Sequence, residues 1–262
     1  MARRIVVTSG KGGVGKTTVC ANLGYALAMY GHSVVLIDAD IGLNNLDVVM
    51  NVENKVVYDI LDVVKGRCRP KQALIRDVEL SNLFVLPSVK GGNFDEITTD
   101  SFKSIIHSLD GIFDYILIDC PAGVDMGFHR AVACCSEALV VSTPNLSSIR
   151  DADKVLGILA TYSLNNVSLV VNRIRGDLVV TGDMLSATDI AKLLRVSPVG
   201  IIPADDDITL ANTTTVAEKA KSSEAFKSLA KNIMGESKLL YDYTGNYKGV
   251  IGKVRGKLKR IL

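Results

Sequence analysis

Apolar residues come in short unbroken runs along this chain, at positions 5–7, 34–37, 83–86, 115–118, 139–141, 169–171 and 199–202. Apolar residues at successive rather than alternate positions predict strands covered on both faces, as in a parallel sheet buried between helices. Between the runs, 18–30, 100–109, 148–162, 184–194 and 223–234 have lengths and apolar spacings suited to amphipathic helices. Seven strands at this spacing predict repeated βα units. The expected fold is α/β, a three-layer sandwich with a mostly parallel β-sheet and right-handed crossovers. The sequence contains no internal repeat and no low-complexity segment.

Length and composition narrow this picture. The 262 residues suit one large α/β domain, read as 1–236, and the 48% apolar but only 5% aromatic content predicts a core of Val, Ile, Leu and Ala. Residues 237–246 read as a linker, with Asp242, Thr244, Gly245 and Asn246 as loop formers. The five cysteines show no C-x-x-C spacing and the three histidines are scattered, so a reduced cytoplasmic protein is expected. The start, Met1-Ala2-Arg3-Arg4, lacks the apolar stretch of a signal peptide, and no run approaches the roughly 18 apolar residues that a membrane-crossing helix needs.

Charge is unevenly distributed. No acidic residue follows Asp242, whereas Lys248, Lys253, Arg255, Lys257, Lys259 and Arg260 follow it; the net +2 of the chain less these six leaves −4 for residues 1–242. On a helix, Tyr247, Val250, Ile251, Val254, Leu258, Ile261 and Leu262 fall at offsets 0, 3, 4, 7, 11, 14 and 15, which is one apolar face. Residues 247–262 therefore read as a cationic amphipathic helix that lies on anionic membrane lipids without spanning them. Basic residues near such a surface contribute roughly 1 kcal/mol each, against which Gly249, Gly252 and Gly256 each cost up to about 1 kcal/mol of helix propensity. One tail should bind weakly and two tails held together more firmly. A helix docked on its own body, or a basic DNA-binding tail, are the competing readings.

Residues 10–17 match G-x-x-x-x-G-K-[ST] in full, after a strand and before a helix. Glycines let the backbone curl around an anion with its N–H groups inward. Lys16 then reaches the β- and γ-phosphates, Thr17 offers its hydroxyl to Mg²⁺, and the helix N-terminus adds partial positive charge. Spacing alone leaves Lys11 either a solvated loop residue or a phosphate ligand. Asp38, Asp40 and Asp119 follow the ends of two strands, at the sheet edge where open α/β folds bind ligands. Phosphoryl transfer needs Mg²⁺ held by carboxylates and a group that orients the attacking water; Asp119 suits the first role and Asp40 the second. Gly123, in Asp119-Cys120-Pro121-Ala122-Gly123, suits a switch that senses the γ-phosphate.

Lys11-Gly12-Gly13-Val14-Gly15-Lys16-Thr17 resembles the deviant Walker A motif of the ParA/MinD family of ATPases. The segment from Asp38-Ala39-Asp40 to Asp47, Asp119–Gly123 and Ser147–Asp153 extend the likeness, which runs the length of the chain. The resemblance implies an ATPase with ATP and Mg²⁺ as cofactors and a homodimer with ATP, in which Lys11 crosses to the partner's phosphates as an arginine finger does. It further implies that Lys11, Gly12, Gly13, Val14, Gly15, Lys16, Thr17 and Thr18 bind the nucleotide, that Asp40 orients water, and that Thr17, Asp38 and Asp119 serve the metal. Asn172 matches an adenine-reading asparagine, and Pro203 and Asp205 would line the same base. DNA-partitioning relatives follow the second aspartate with Pro-Gln, whereas this chain has Ile41-Gly42. The resemblance is therefore to the septum-positioning branch, whose partners are a MinC-like division inhibitor and a MinE-like activator, received by Asn45, Asp151 and Asp153. Nucleic acid is not expected. The alternative is a ParA-type DNA-partitioning ATPase. A metallocluster carrier of the same fold would present a cysteine pair at a dimer interface, a geometry that the adjacent Cys134 and Cys135 do not suggest.

Overall fold

The computed structural model describes residues 1–42, 45–89, 96–205 and 222–248. Eight strands form one sheet: β1 (Arg3–Thr8), β2 (Val34–Asp38), β3 (Ile75–Arg76), β4 (Leu83–Leu86), β5 (Tyr115–Asp119), β6 (Glu137–Ser142), β7 (Asn166–Ile174) and β8 (Pro198–Pro203). Their order is β3-β4-β2-β5-β1-β6-β7-β8, parallel throughout except for the antiparallel β3–β4 pair. Each of the seven apolar runs lies in a strand. The two-residue β3 is too short to show a pattern.

Successive residues of each strand enter opposite cores. Val6, Val35, Ile37, Ile116, Ile118 and Val140 join one; Ile5, Val7, Val34, Leu36, Leu117 and Leu139 join the other. The first core is closed by α3 (Ile60–Val64), α5 (Thr99–Leu109), α6 (Met126–Val132), α7 (Leu146–Leu159) and α9 (Ala187–Leu194). The second is closed by α1 (Lys16–Met29), α2 (Leu46–Val49) and α10 (Ser223–Met234), and the short α4 (Pro70–Ala73) and α8 (Gly176–Thr181) complete the described α-helices. This is the three-layer sandwich that the sequence predicts. Four of the five predicted helices start or end one to three residues from the observed bounds, and the fifth matches. The missed ones, of four to seven residues, are too brief to show a helical period.

Helix α1 is buried on several sides because it sits between the sheet and α10. Its approach to β2 requires a glycine: a Cβ on Gly24 would stand 2.4 Å from Leu36 Cδ2. Strand β1 lies between β5 and β6, and the chain leaves it first toward β2 and later passes back across it to β6. That reversal opens a crevice at the carboxyl end of β1, the usual ligand position in such sheets.

After α10 the chain runs along the body. Leu239 O accepts hydrogen bonds from Ser228 Oγ (2.8 Å) and Asn232 Nδ2 (3.0 Å). Tyr241 packs with the α1/α10 layer and Tyr243 with the opposite one, where Ala187 N donates to Tyr243 OH at 3.2 Å. The chain thus crosses near the carboxyl end of β8 and encloses, with Pro203, Ala204 and Arg175, a cavity of about 180 Å³. Tyr247, expected on the tail's apolar face, is half-buried, with its ring over Gly176, where a Cβ would lie 2.8 Å from Cδ2. Val250, Ile251, Val254, Leu258, Ile261 and Leu262 lie outside the described residues. Among the described residues no helix is long and apolar enough to cross a membrane.

Candidate functional site

The phosphate loop joins β1 to α1. Gly15 takes φ 92°, a left-handed turn that L side chains resist, and starts α1 with no side-chain cap and no acid in the first turn. Helices α5, α7 and α9, by contrast, are capped by Thr98, Asn145 and Ser186. The α1 N–H groups and the positive end of the helix are left for an anion. Lys16 is buried, while Lys11 is exposed and donates from Nζ to Ser147 Oγ at 3.1 Å. Gly10 sits against α7: a Cβ there would lie 2.1 Å from Asp151 O. The loop's outward carbonyls have partners, since Arg173 Nη1 donates to Gly13 O (2.9 Å) and Asn172 Nδ2 to Val14 O (2.8 Å).

Parallel pairing sets Asp38 beside Asp119 at the ends of β2 and β5. Asp38 is fully buried; its oxygens accept from Asp40 N (2.9 Å) and Leu46 N (3.2 Å). Burial, and then the facing Asp119 charge, push its carboxyl up to about 8. Burial likewise pushes Asp119 up to about 7, opposed by a hydrogen bond from Thr17 and by the charge of Lys16. Asp119 Oδ1 is buried without a hydrogen-bond partner. An orphaned carboxylate oxygen beside the Thr17 hydroxyl, at a helix N-terminus built for phosphate, fits a hard cation such as Mg²⁺ with its shell completed by water and phosphate. Such a site needs few protein ligands, consistent with the described residues containing no cluster of three His, Cys, Asp or Glu that could hold a metal by itself. Asp40 is half-buried at the crevice, its carboxyl raised by burial and lowered by Lys16.

The remaining predicted residues are dispersed around this centre. Gly12 lies 3.9 Å, measured from its ideal Cβ, from Ala122 of the switch segment; Gly123 N donates to Ser9 O at 3.4 Å; Thr18 O accepts from Asn22 Nδ2. Pro203 ends β8, and Asp205 Oδ2 accepts from Ser222 N and Ser222 Oγ, both at 2.8 Å, which ties it to the start of α10. Asn45 is exposed ahead of α2. Asp153 is exposed on α7, and Asp151, one turn from Lys154 (3.4 Å), has its backbone against the loop. Sequence reasoning missed Arg173 and Ser147. Arg173 carries no signal beyond following Asn172 in β7, and Ser147 appears in the sequence only as the first residue of the 147–153 likeness, without a role of its own.

A glycine loop at the central strand, an uncapped helix behind it and two buried aspartates across it define a P-loop ATPase. The described geometry is that of an enzyme that holds phosphates with its backbone and neutralises them with lysine and a divalent cation. The chain belongs to the CobQ/CobB/MinD/ParA nucleotide-binding family, whose model matches residues 5–235. It is 42% identical over 263 residues to the septum site-determining protein MinD of Synechocystis, covering 98% of this chain and 99% of that one. It is also similar to MinD in the MinC:MinD cell division protein complex of Aquifex aeolicus, with a TM-score of 0.85, 43% identity, and 92% and 99% of the two chains covered. The MinD of Pyrococcus horikoshii, complexed with Mg-ADP, matches with a TM-score of 0.79 and 30% identity over 91% and 99%. Nucleotide and Mg²⁺ binding are accordingly properties of this fold and site.

Proposed function

We propose that this chain is a septum-positioning ATPase that dimerises with ATP, docks on the inner face of the cell membrane through residues 247–262, and carries a MinC-like division inhibitor. The single observation that carries this reading is full-length similarity to septum site-determining MinD proteins, joined to a phosphate loop that fits nucleotide. In this reading the loop N–H groups and Lys16 hold the β- and γ-phosphates, Thr17 and Asp119 hold the cation, and the Asp38 carboxylate supports its shell. Magnesium, when bound, neutralises the developing phosphate charge. Asp40 orients the attacking water.

Lys11 rests on Ser147 of its own chain and crosses to the partner's phosphates when two subunits meet, so that hydrolysis requires the dimer. Asn172 turns its amide from Val14 O to the base, which Pro203 and Asp205 flank. Asp151 and Asp153 offer carboxylates to the inhibitor and to a MinE-like activator from α7, and Asn45 contributes from its exposed place ahead of α2. Helix α7 touches the loop at Gly10, so nucleotide state and partner surface share one element.

The test is co-sedimentation with anionic liposomes, and separately with duplex DNA, in ADP and in ATP under conditions that suppress hydrolysis. ATP-dependent pelleting with liposomes, abolished by Ile251→Glu with Leu258→Glu and by Lys16→Ala, is expected. ATP-dependent DNA binding without lipid binding would instead establish the partition reading.

A further inference from the structure

A loop that aims its N–H groups at a phosphate must turn carbonyls outward, where a buried one such as Val14 O needs a donor and an exposed one such as Gly13 O is held in place only if a side chain outcompetes water for it. Here the donors for Gly13 O and Val14 O are the consecutive residues Arg173 and Asn172. Consecutive side chains of a regular strand point to opposite faces, so one strand end does not ordinarily serve one loop twice. The backbone at Arg173 resolves this by taking φ 57°, a conformation that L side chains seldom adopt. Asn172 Oδ1 accepts from Arg173 N at 2.9 Å and holds the turn, and the β7–β8 register shifts between Val171 and Ile174, which releases both residues from regular pairing. On the loop side the fit is close, because a Cβ on Gly15 would stand 2.5 Å from Asn172 Nδ2.

We propose that Arg173 is a positioning residue of the phosphate loop, which holds the Gly13 carbonyl outward so that the loop is preformed before nucleotide arrives. The left-handed turn at Arg173 is the device that delivers its guanidinium. The proposal rests on the loop binding nucleotide, which the wild-type protein reports separately.

The experiment measures Mg-ADP affinity by calorimetry together with the melting temperature for Arg173→Ala, Arg173→Lys and Arg173→Gly. Loss of one charge-assisted hydrogen bond at an exposed site should weaken ADP binding about fivefold in Arg173→Ala, and Arg173→Lys should restore most of it. Arg173→Gly separates positioning from simple stability: glycine suits the left-handed turn, so melting stays level or rises while ADP affinity falls as in the alanine variant. ADP binding within twofold of wild type in the alanine or glycine variant overturns the proposal. So does an affinity loss in all three variants that tracks a loss of melting temperature.

Discussion

Asp38 and Asp119 hold protons at pH values where a carboxyl in water has lost them, pushed to about 8 and about 7 chiefly by burial, to which the Asp119 charge adds at Asp38 and the Asp40 charge at Asp119. The folded carboxyls thus titrate above their unfolded value of about 4, so between pH 4 and 8 the folded state binds more protons than the unfolded one. Stability from this pair is greatest below the unfolded value and falls as pH rises through 7 and 8. A cation needs the ionised form, so Mg-nucleotide binding near pH 7 should release protons. Calorimetry in two buffers of different ionisation enthalpy measures the number, and zero would mean that the pair is already ionised. Asp38→Asn should raise the melting temperature at pH 8 while weakening Mg-nucleotide binding, because the repulsion goes and the anionic ligand goes with it. At this scale the gathering of the lysines, the threonine and the aspartates at one end of the sheet was legible in the sequence, since phosphate chemistry constrains residue type and spacing together. Arg173 was not, because its role comes from a left-handed turn and an irregular register that no spacing records.

The central strands were legible for a physical reason: being covered on both faces, they must be apolar at every position. Helices α2, α3, α4, α6 and α8 were not, because four to seven residues cannot display a period of 3.6. Helix α1 leaves no room for a larger residue at Gly24. Leu36 is fully buried and would stand within 2.4 Å of any Cβ on Gly24, so no outward rotation relieves the clash. Gly24→Val should destabilise the protein by about 1–3 kcal/mol, the usual range for an overpacked core. Chemical denaturation with an unchanged m-value checks this. Because α1 carries Lys16 and Thr17, the same variant should also weaken nucleotide binding.

Across the molecule, the chain after α10 is tied down at Leu239, Tyr243 and Tyr247 rather than hanging as a plain connector. The loop formers Asp242, Thr244 and Gly245 do make a turn, with Asp242 Oδ1 accepting from Thr244 N and Gly245 N. What composition could not reveal is that Gly176, far away in sequence, leaves the space into which this turn fits. A Cβ on Gly176 would lie 1.9 Å from Tyr243 O, so Gly176→Ala should lift residues 243–247 from the body. Hydrogen exchange at the Tyr247 amide, now bonded to Thr244 O at 2.9 Å, should then quicken at least tenfold; unchanged exchange would mean that the turn stands without its seat.

That anchorage fixes a point of departure. Because Tyr247 is seated over Gly176, beside the cavity that Pro203 and Ala204 line, whatever follows residue 248 leaves the body from the carboxyl end of the sheet, the end that carries the phosphate loop, and not from the end of α10.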